Sequence, residues 1–283
     1  MKYFIVTFFI LAIISCNQKD SVQDYPFSAG NMPADSSALQ VNTTYDFSSL
    51  GSSQIWRASR GNMGVSGSFT APITAGKLTV TAISPSDSNV KITRTYFVST
   101  QKNLFDSMLS GGYVLAFRHA AASDGSDVFG TTASQWWLSC SNTVARQLTT
   151  PTGFVQAAEL GLCMRIFKLP VNRLISSEYC RCKTTAQLFA QPNVAVTTNQ
   201  DITYYAYDEP NRYPKQMALI NASPINNSNT VMVGHAGFAG TPTPTFLGNL
   251  NWGDAAVFKL NAGGAAATYI TTLTEVALRQ MLQ

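Results

Sequence analysis

The pattern of apolar and polar positions along this chain changes character twice. Residues 3–14 form an unbroken apolar run behind a single cation, Lys2. Residues 77–83 (Lys-Leu-Thr-Val-Thr-Ala-Ile) and 91–98 (Lys-Ile-Thr-Arg-Thr-Tyr-Phe-Val) alternate with period two, the signature of half-buried strands. Gly61, Gly64, Gly67, Pro72, Gly76, Pro85 and Asp87 punctuate this region, so residues 40–99 read as a small all-β sandwich.

From residue 101 onward the period changes again. Residues 113–117 (Tyr-Val-Leu-Ala-Phe) are continuously apolar after Gly111-Gly112, as expected of a strand buried on both faces. Residues 152–169 space Phe154, Ala157, Ala158, Gly161, Met164 and Ile166 with helical period. A short strand at 173–176, a short helix at 182–190, apolar strands at 230–233 and 255–258 and a helical segment from 271 complete the reading. Strands alternating with helices predict an α/β fold over residues 101–283, a three-layer α/β/α sandwich with a mostly parallel sheet.

The first apolar run is too short to span a bilayer and has the length of a signal-peptide core. It ends in Ile13-Ile14-Ser15-Cys16, followed at once by polar Asn17-Gln18-Lys19-Asp20. That order resembles the bacterial lipobox. It implies a signal peptide over residues 1–15, lipidation of Cys16 with palmitate-type chains, and a polar tether over residues 16–39. Each buried CH₂ of such chains contributes about 0.8 kcal/mol to membrane anchoring. The expected location is outside the cytoplasm, lipid-anchored to a bacterial membrane. The outer membrane or cell surface is favoured, because Asn17 stands where an aspartate would retain a lipoprotein at the inner membrane. The phrase Gly67-Ser68-Phe69-Thr70-Ala71-Pro72, followed by the 77–83 strand, resembles the closing strands of bacterial immunoglobulin-like modules, with Trp56 as the core tryptophan.

Of the 283 residues, 45% are hydrophobic and 12% charged, enough apolar surface for a full core and too much for a disordered chain. The net charge of +4 comes without a basic run or aromatic–basic interleaving, so nucleic acid is not an expected partner. Cys140, Cys163, Cys180 and Cys182 remain after Cys16, and export favours disulfides among them. Three pairings are open. Cys180-x-Cys182 lacks the usual spacing of a zinc site, and no metal is expected.

The chain has two histidines, and each sits where an apolar strand ends: Phe117-Arg118-His119-Ala120 and Val233-Gly234-His235-Ala236. In open α/β sheets, sites form beyond the carboxyl ends of strands. Arg118 precedes the first histidine, and Arg181 lies where a short strand meets a helix. Guanidinium groups match phosphate with paired charge-assisted hydrogen bonds, so this set reads as an anion pocket holding a nucleophile.

These residues also carry a family resemblance. Arg118-His119-Ala120 resembles the Arg-His-Gly signature of the histidine phosphatase superfamily, the phosphoglycerate mutase-like proteins. Arg146-Gln147-Leu148-Thr149, Gly153 and Gln156-Ala157 resemble the family's helix start, and Ser176-Ser177…Arg181…Thr185-Ala186 resembles its second arginine motif. Gly234-His235 resembles its late histidine motif. The resemblance implies a phosphomonoester hydrolase without cofactor: His119 takes up the phosphoryl group while Arg118, Arg181 and His235 hold its oxygens. The implied partner is a phosphorylated small molecule or phosphoprotein, and the 123–138 loop would set specificity, with Trp136-Trp137 as wall or core. It also implies a bridge from Cys140 to Cys180 or Cys182, with Cys163 free on its helix. Ala120 replaces the family's glycine. Ala236 stands where some branches place an acid, leaving Asp124, Asp127, Asp208 and Glu209 as candidate proton donors. The rival expectation is a non-catalytic surface lipoprotein that keeps the fold to bind an anion or a glycan.

Overall fold

Leu78, Val80 and Ala82 all point to one side of a strand and are fully buried, while the residues between them face outward, as the alternation predicts. The computed structural model describes residues 32–48, 54–129, 134–237, 244–280 and 282–283. The signal segment, Cys16 and most of the tether lie outside the described residues.

The first part of the chain is β-structure. It comprises β1 (Ser37–Gln40), β2 (Thr44–Asp46), β3 (Ile55–Ala58), β4 (Asn62–Met63), β5 (Ser68–Thr70), β6 (Gly76–Ile83) and β7 (Lys91–Ser99). A four-stranded sheet ordered β1-β7-β6-β3 faces a three-stranded sheet ordered β2-β5-β4 across one apolar cluster. Phe47 is its centre, with ring centroids 5.2 Å from Phe69 and 5.8 Å from Tyr96. Two expectations change here. β1 pairs with β7, and Met32 is buried in the same cluster, so sheet structure begins within the stretch read as tether. Trp56 is only half-buried, because it lies on β3 at the edge of its sheet and covers the cluster from one side.

The rest is α/β. Its elements are α1 (Lys102–Met108), β8 (Tyr113–Arg118), α2 (Thr152–Ile166), β9 (Val171–Ser176), α3 (Cys180–Phe189), β10 (Val196–Thr198), α4 (Arg212–Asn221), β11 (Asn229–Gly234), α5 (Thr245–Gly248), β12 (Ala255–Lys259), β13 (Thr268–Leu273) and α6 (Glu275–Gln280). The six strands order as β10-β9-β11-β8-β12-β13. The first four pair in parallel, and β12 runs antiparallel to both its neighbours. On β8, Leu115 and Phe117 join the cluster that α2, α3 and α6 cover, and Val114 and Ala116 join the one under α4 and α5. The helices therefore form the outer layers of a three-layer sandwich.

The expected helix from 271 is a correction. Residues Thr268–Leu273 are strand β13, and the helix starts only at Glu275. The β-branched residues Ile270, Thr271 and Thr272 lose side-chain freedom in a helix and suit the pleat. The helix expected at 182–190 begins two residues earlier, which places Arg181 in the first turn of α3.

The connections part beside β8. The chain leaves β8 towards α2 on one face and leaves neighbouring β11 towards α5 on the other, opening a crevice at the carboxyl ends of the two strands. Gly153, at the start of α2, makes a close approach there: a Cβ on it would meet the Ala121 carbonyl oxygen at 2.1 Å.

Cys140 and Cys180 form a disulfide with Cα atoms 5.2 Å apart, and Cys163 and Cys182 are buried free thiols. The bridge closes a loop over a sequence separation of 40 residues. In the chain-entropy account such a cross-link contributes about 4 kcal/mol. Cys140→Ser is expected to lower the denaturant midpoint accordingly. Non-reducing peptide mapping should recover Cys140 joined to Cys180 and free thiols at the other two positions.

Candidate active site

β8 and β11 pair with Gly234 opposite Arg118, and the His119 amide donates to the Gly234 carbonyl at 3.0 Å. Both histidines therefore emerge at the same level of the sheet. Their rings meet edge to face with centroids 5.3 Å apart. Around them lies a cavity of about 120 Å³, lined also by Arg118, Asp127, Arg146, Arg181, Tyr204 and Trp252.

The tautomer of His119 follows from its neighbour. Its Nδ1 lies 2.8 Å from the Ala120 carbonyl oxygen, which can only accept, so Nδ1 carries the proton and Nε2 keeps its lone pair. The ring is 6% exposed. Burial, and then the Arg181 charge, holds His119 well below the ordinary imidazole value of 6.5. The same two causes act on His235, with the His119 ring next in order. His235 Nε2 lies 2.9 Å from the Ser177 hydroxyl and 3.5 Å from the Cys182 thiol, which burial pushes up to about 12 and keeps neutral. The rings of Tyr179 and Tyr204 pack on His235 at 5.0 and 5.1 Å.

Residues behind the site show what holds the two histidines and their arginines in place. The Ala120 amide donates to Thr185 Oγ1, which itself donates to the Arg181 carbonyl. The Ala121 amide donates to Gln156 Oε1 at 2.6 Å, while Gln156 Nε2 donates to the Trp252 carbonyl at 3.3 Å. Gln156 thus ties the loop after His119 to the turn that carries Trp252. Asp254, buried, accepts from the Asn251 amide and holds that same turn. Arg118 donates from Nη1 to the Leu250 carbonyl at 2.9 Å, and its guanidinium lies 5.5 Å from the Trp252 ring centre. Its Nε is buried without an acceptor among the described residues.

Arg181 sits over the Tyr179 ring, 4.2 Å from its centre, and its side chain is only 4% exposed. Nη1 and Nη2 donate to the two oxygens of Asp127 at 2.9 and 3.2 Å, and Nη1 also donates to the Arg146 carbonyl. Asp127 is 8% exposed and accepts from the Arg146 amide at 2.9 Å.

The structure thus brings His119, Arg118, Arg181 and His235 to one cavity. It does not bring the three other candidate acids there. Asp124 accepts from the Thr150 amide and lines a neighbouring cavity beside the disulfide. Asp208 faces outward and pairs with Lys215 at 3.0 Å. Glu209 pairs with the buried Arg212. The loop charges 124, 208 and 209 are spent on turns and helix starts, and Asp127 is the carboxylate that faces the cavity among the described residues. Arg146, Tyr204 and Trp252 are lining residues that pattern reasoning did not assign to the site. Trp136 is buried in an aromatic cluster with Tyr179, and the Trp137 indole donates to Glu178, so neither lines the cavity. Among the described residues no group of three or more His, Cys, Asp and Glu side chains is placed to hold a metal ion.

No protein-family model and no curated protein matches this sequence. Solved structures similar to the chain are members of the histidine phosphatase superfamily. The protein histidine phosphatase SixA complexed with tungstate is 16% identical, with 59% of this chain and 99% of that chain covered at a TM-score of 0.40. The alpha-ribazole phosphatase from Shigella flexneri is 14% identical over 58% of this chain and 96% of its own, at a TM-score of 0.39. The ecdysone phosphate phosphatase EPPase from Bombix mori, in complex with tungstate, is 16% identical over 56% and 92%, at a TM-score of 0.38.

The buried histidines make a pH prediction. Above pH 6.5 neither the folded nor the unfolded chain protonates them. Below it the unfolded chain does so first, because the folded-state values are depressed. Stability must then fall as pH drops through 6.5, by up to about 1.4 kcal/mol per pH unit for each histidine. Urea melts at pH 7.5 and 5.5 should show the loss, and the double variant His119→Asn, His235→Asn should flatten it.

Proposed function

We propose that this protein hydrolyses phosphomonoesters through a phosphohistidine formed on His119 Nε2. The observation that carries the reading is the convergence of that unprotonated nitrogen with guanidinium donors the protein leaves open. Arg118 Nε has no acceptor among the described residues, and burial and the Arg181 charge both pull Arg118 below its ordinary value. Two guanidiniums that repel each other in a partly buried site call for an anion. With both histidines neutral, Arg118, Arg146 and Arg181 against Asp127 leave two positive charges in excess, which favours an anionic phosphomonoester.

In the first step the His119 Nε2 lone pair attacks phosphorus, the ester P–O bond breaks, and the proton carried by the phosphomonoester monoanion ends on the leaving oxygen, giving a phosphohistidine and the alcohol. Water then attacks phosphorus, the P–N bond breaks, and phosphate leaves. Arg118 and Arg181 stabilise the charge on the transferring oxygens. If the Ser177 hydroxyl donates to His235 Nε2, the His235 proton sits on Nδ1, where a phosphoryl oxygen can accept it.

The export reading completes the proposal: Cys16 carries lipid, the chain stands at the outer membrane or cell surface, and the β-sandwich is a spacer or docking module. Cys16→Ser is expected to leave the protein unprocessed or released from membranes; a mature variant that still partitions with membranes sinks the anchor.

Turnover is tested with 4-nitrophenyl phosphate and with acid-quench trapping of labelled enzyme. His119→Ala should abolish turnover and label. Arg181→Ala should lower kcat about 100- to 1000-fold and weaken phosphate binding. Vanadate should compete with substrate. An active enzyme whose His119→Ala form keeps full rate ends the phosphohistidine reading. A folded wild type that turns over no phosphomonoester leaves an anion-binding protein.

A further inference from the structure

Asp127 and the phosphoryl group would share one guanidinium. The terminal edge of Arg181 is taken: Nη1 and Nη2 hold the Asp127 oxygens, and the second Nη1 hydrogen goes to the Arg146 carbonyl. What remains is the side edge, Nε with the second Nη2 hydrogen, which meets no acceptor among the described residues. A phosphoryl group binding that edge in bidentate fashion would place one oxygen on the same Nη2 that holds Asp127 Oδ2.

The carboxylate is also built to stay. The loop that carries it is fastened to residues 144–150 by the Val128 amide on the Val144 carbonyl and by the Gln147 amide on the Asp124 carbonyl. The Arg146 amide donates directly to Oδ1, while Oδ2 has Arg181 Nη2 as its protein donor. Oδ2 is therefore the oxygen free to change partner.

We infer that Asp127 is the proton donor to the leaving alcohol, and that this role rests on the phosphatase reading of the same pocket. The substrate arrives as its monoanion, whose second proton is held with a pKa of about 6. That proton passes from the phosphoryl oxygen to Asp127 Oδ2, which releases Nη2. As His119 Nε2 bonds to phosphorus and the P–O bond breaks, the Asp127 O–H protonates the ester oxygen and the alcohol leaves neutral. Asp127, again a carboxylate, takes a proton from the water that attacks the phosphohistidine, and returns it to the departing phosphate. No proton is gained or lost over the cycle, and Arg181 holds the carboxyl group and the phosphoryl group throughout.

The test is the dependence of kcat/KM on the leaving group, measured with the full chain on 4-nitrophenyl phosphate, phenyl phosphate and an alkyl phosphate. 4-Nitrophenolate leaves without a proton, and an alkoxide does not. Wild type is expected to span less than about tenfold across the series. Asp127→Asn should lose about 100- to 10,000-fold on the alkyl ester and less than about tenfold on the nitrophenyl ester. Equal losses on both esters would make Asp127 a group that only positions Arg181 and would overturn the proposal. If the Asn variant does not fold, wild type decides alone: a steep fall from nitrophenyl to alkyl ester overturns the acid role, and a shallow one supports it. A wild type inactive on every ester fails the phosphatase reading itself, a result distinct from a steep series.

Discussion

The site depends on one pairing: β8 and β11 run side by side, in parallel and in register, and end together. Gly234 lies opposite Arg118, and the His119 amide closes the ladder on the Gly234 carbonyl. Strand polarity places both histidines at carboxyl ends, and the opposite departures of the two connections keep the space above them open. A shift of one strand by one residue in this register would turn that strand's histidine to the other face of the sheet and part the two rings. Because β8 and β11 are buried on both faces, such a slip would also place polar Arg118 or His119 in an apolar layer, so the hydrophobic pattern of two strands protects the juxtaposition of the two histidines.

The electrostatics follow from what that crevice holds. Guanidiniums are brought into a partly dehydrated space, and among the described residues one carboxylate, Asp127, faces them. Burial first, and the positive field of Arg181 second, hold both histidines well below the ordinary imidazole value. A nucleophilic imidazole needs its lone pair, and here the residues that would grip an anion also preserve that lone pair. The positions behind them are correspondingly rigid. Gln156 and Thr185 hold the backbone just after His119, and Asp254 holds the turn that gives Arg118 its carbonyl partner.

How far this was legible in the sequence differs by element, for physical reasons. The continuous apolar runs that became β8 and β11 are unambiguous, because a doubly covered strand tolerates few polar residues. A histidine directly after each run is then located by chain polarity alone. Arg181 was legible as a residue near a helix start, although α3 begins two residues earlier than periodicity suggested, since Cys180 contributes nothing to an amphipathic count. Asp127 could not be told from Asp124, Asp208 or Glu209. All four sit in polar loops, and the difference among them is a tertiary partner more than 50 residues away, Arg181. Trp252 and Tyr204 were missed for the same reason: an aromatic residue in a loop has no period to reveal what it faces. β13 was misread because an edge strand with exposed Tyr269 and Ile270 lacks the alternation that marks a half-buried one.

The disulfide bears on that joint. Cys180 is the residue before Arg181, and Cys140 stands in the segment that leads to Arg146, whose amide and carbonyl hold Asp127 and Arg181 respectively. The cross-link therefore ties to α3 the segment on which the Asp127 loop is fastened through the Val128 and Gln147 amides. An ion pair in a pocket open to substrate is exposed to competition, because an incoming anion offers the guanidinium another partner. Had the pair alone held the loop to α3, binding would loosen the wall of its own pocket. With the covalent tie one residue from Arg181, the carboxylate can change hydrogen-bond partners while the backbone on both sides stays in place. That separation of fastening from chemistry would let a single carboxylate serve as counter-ion in the resting site and, in the proposed reaction, as a mobile proton carrier.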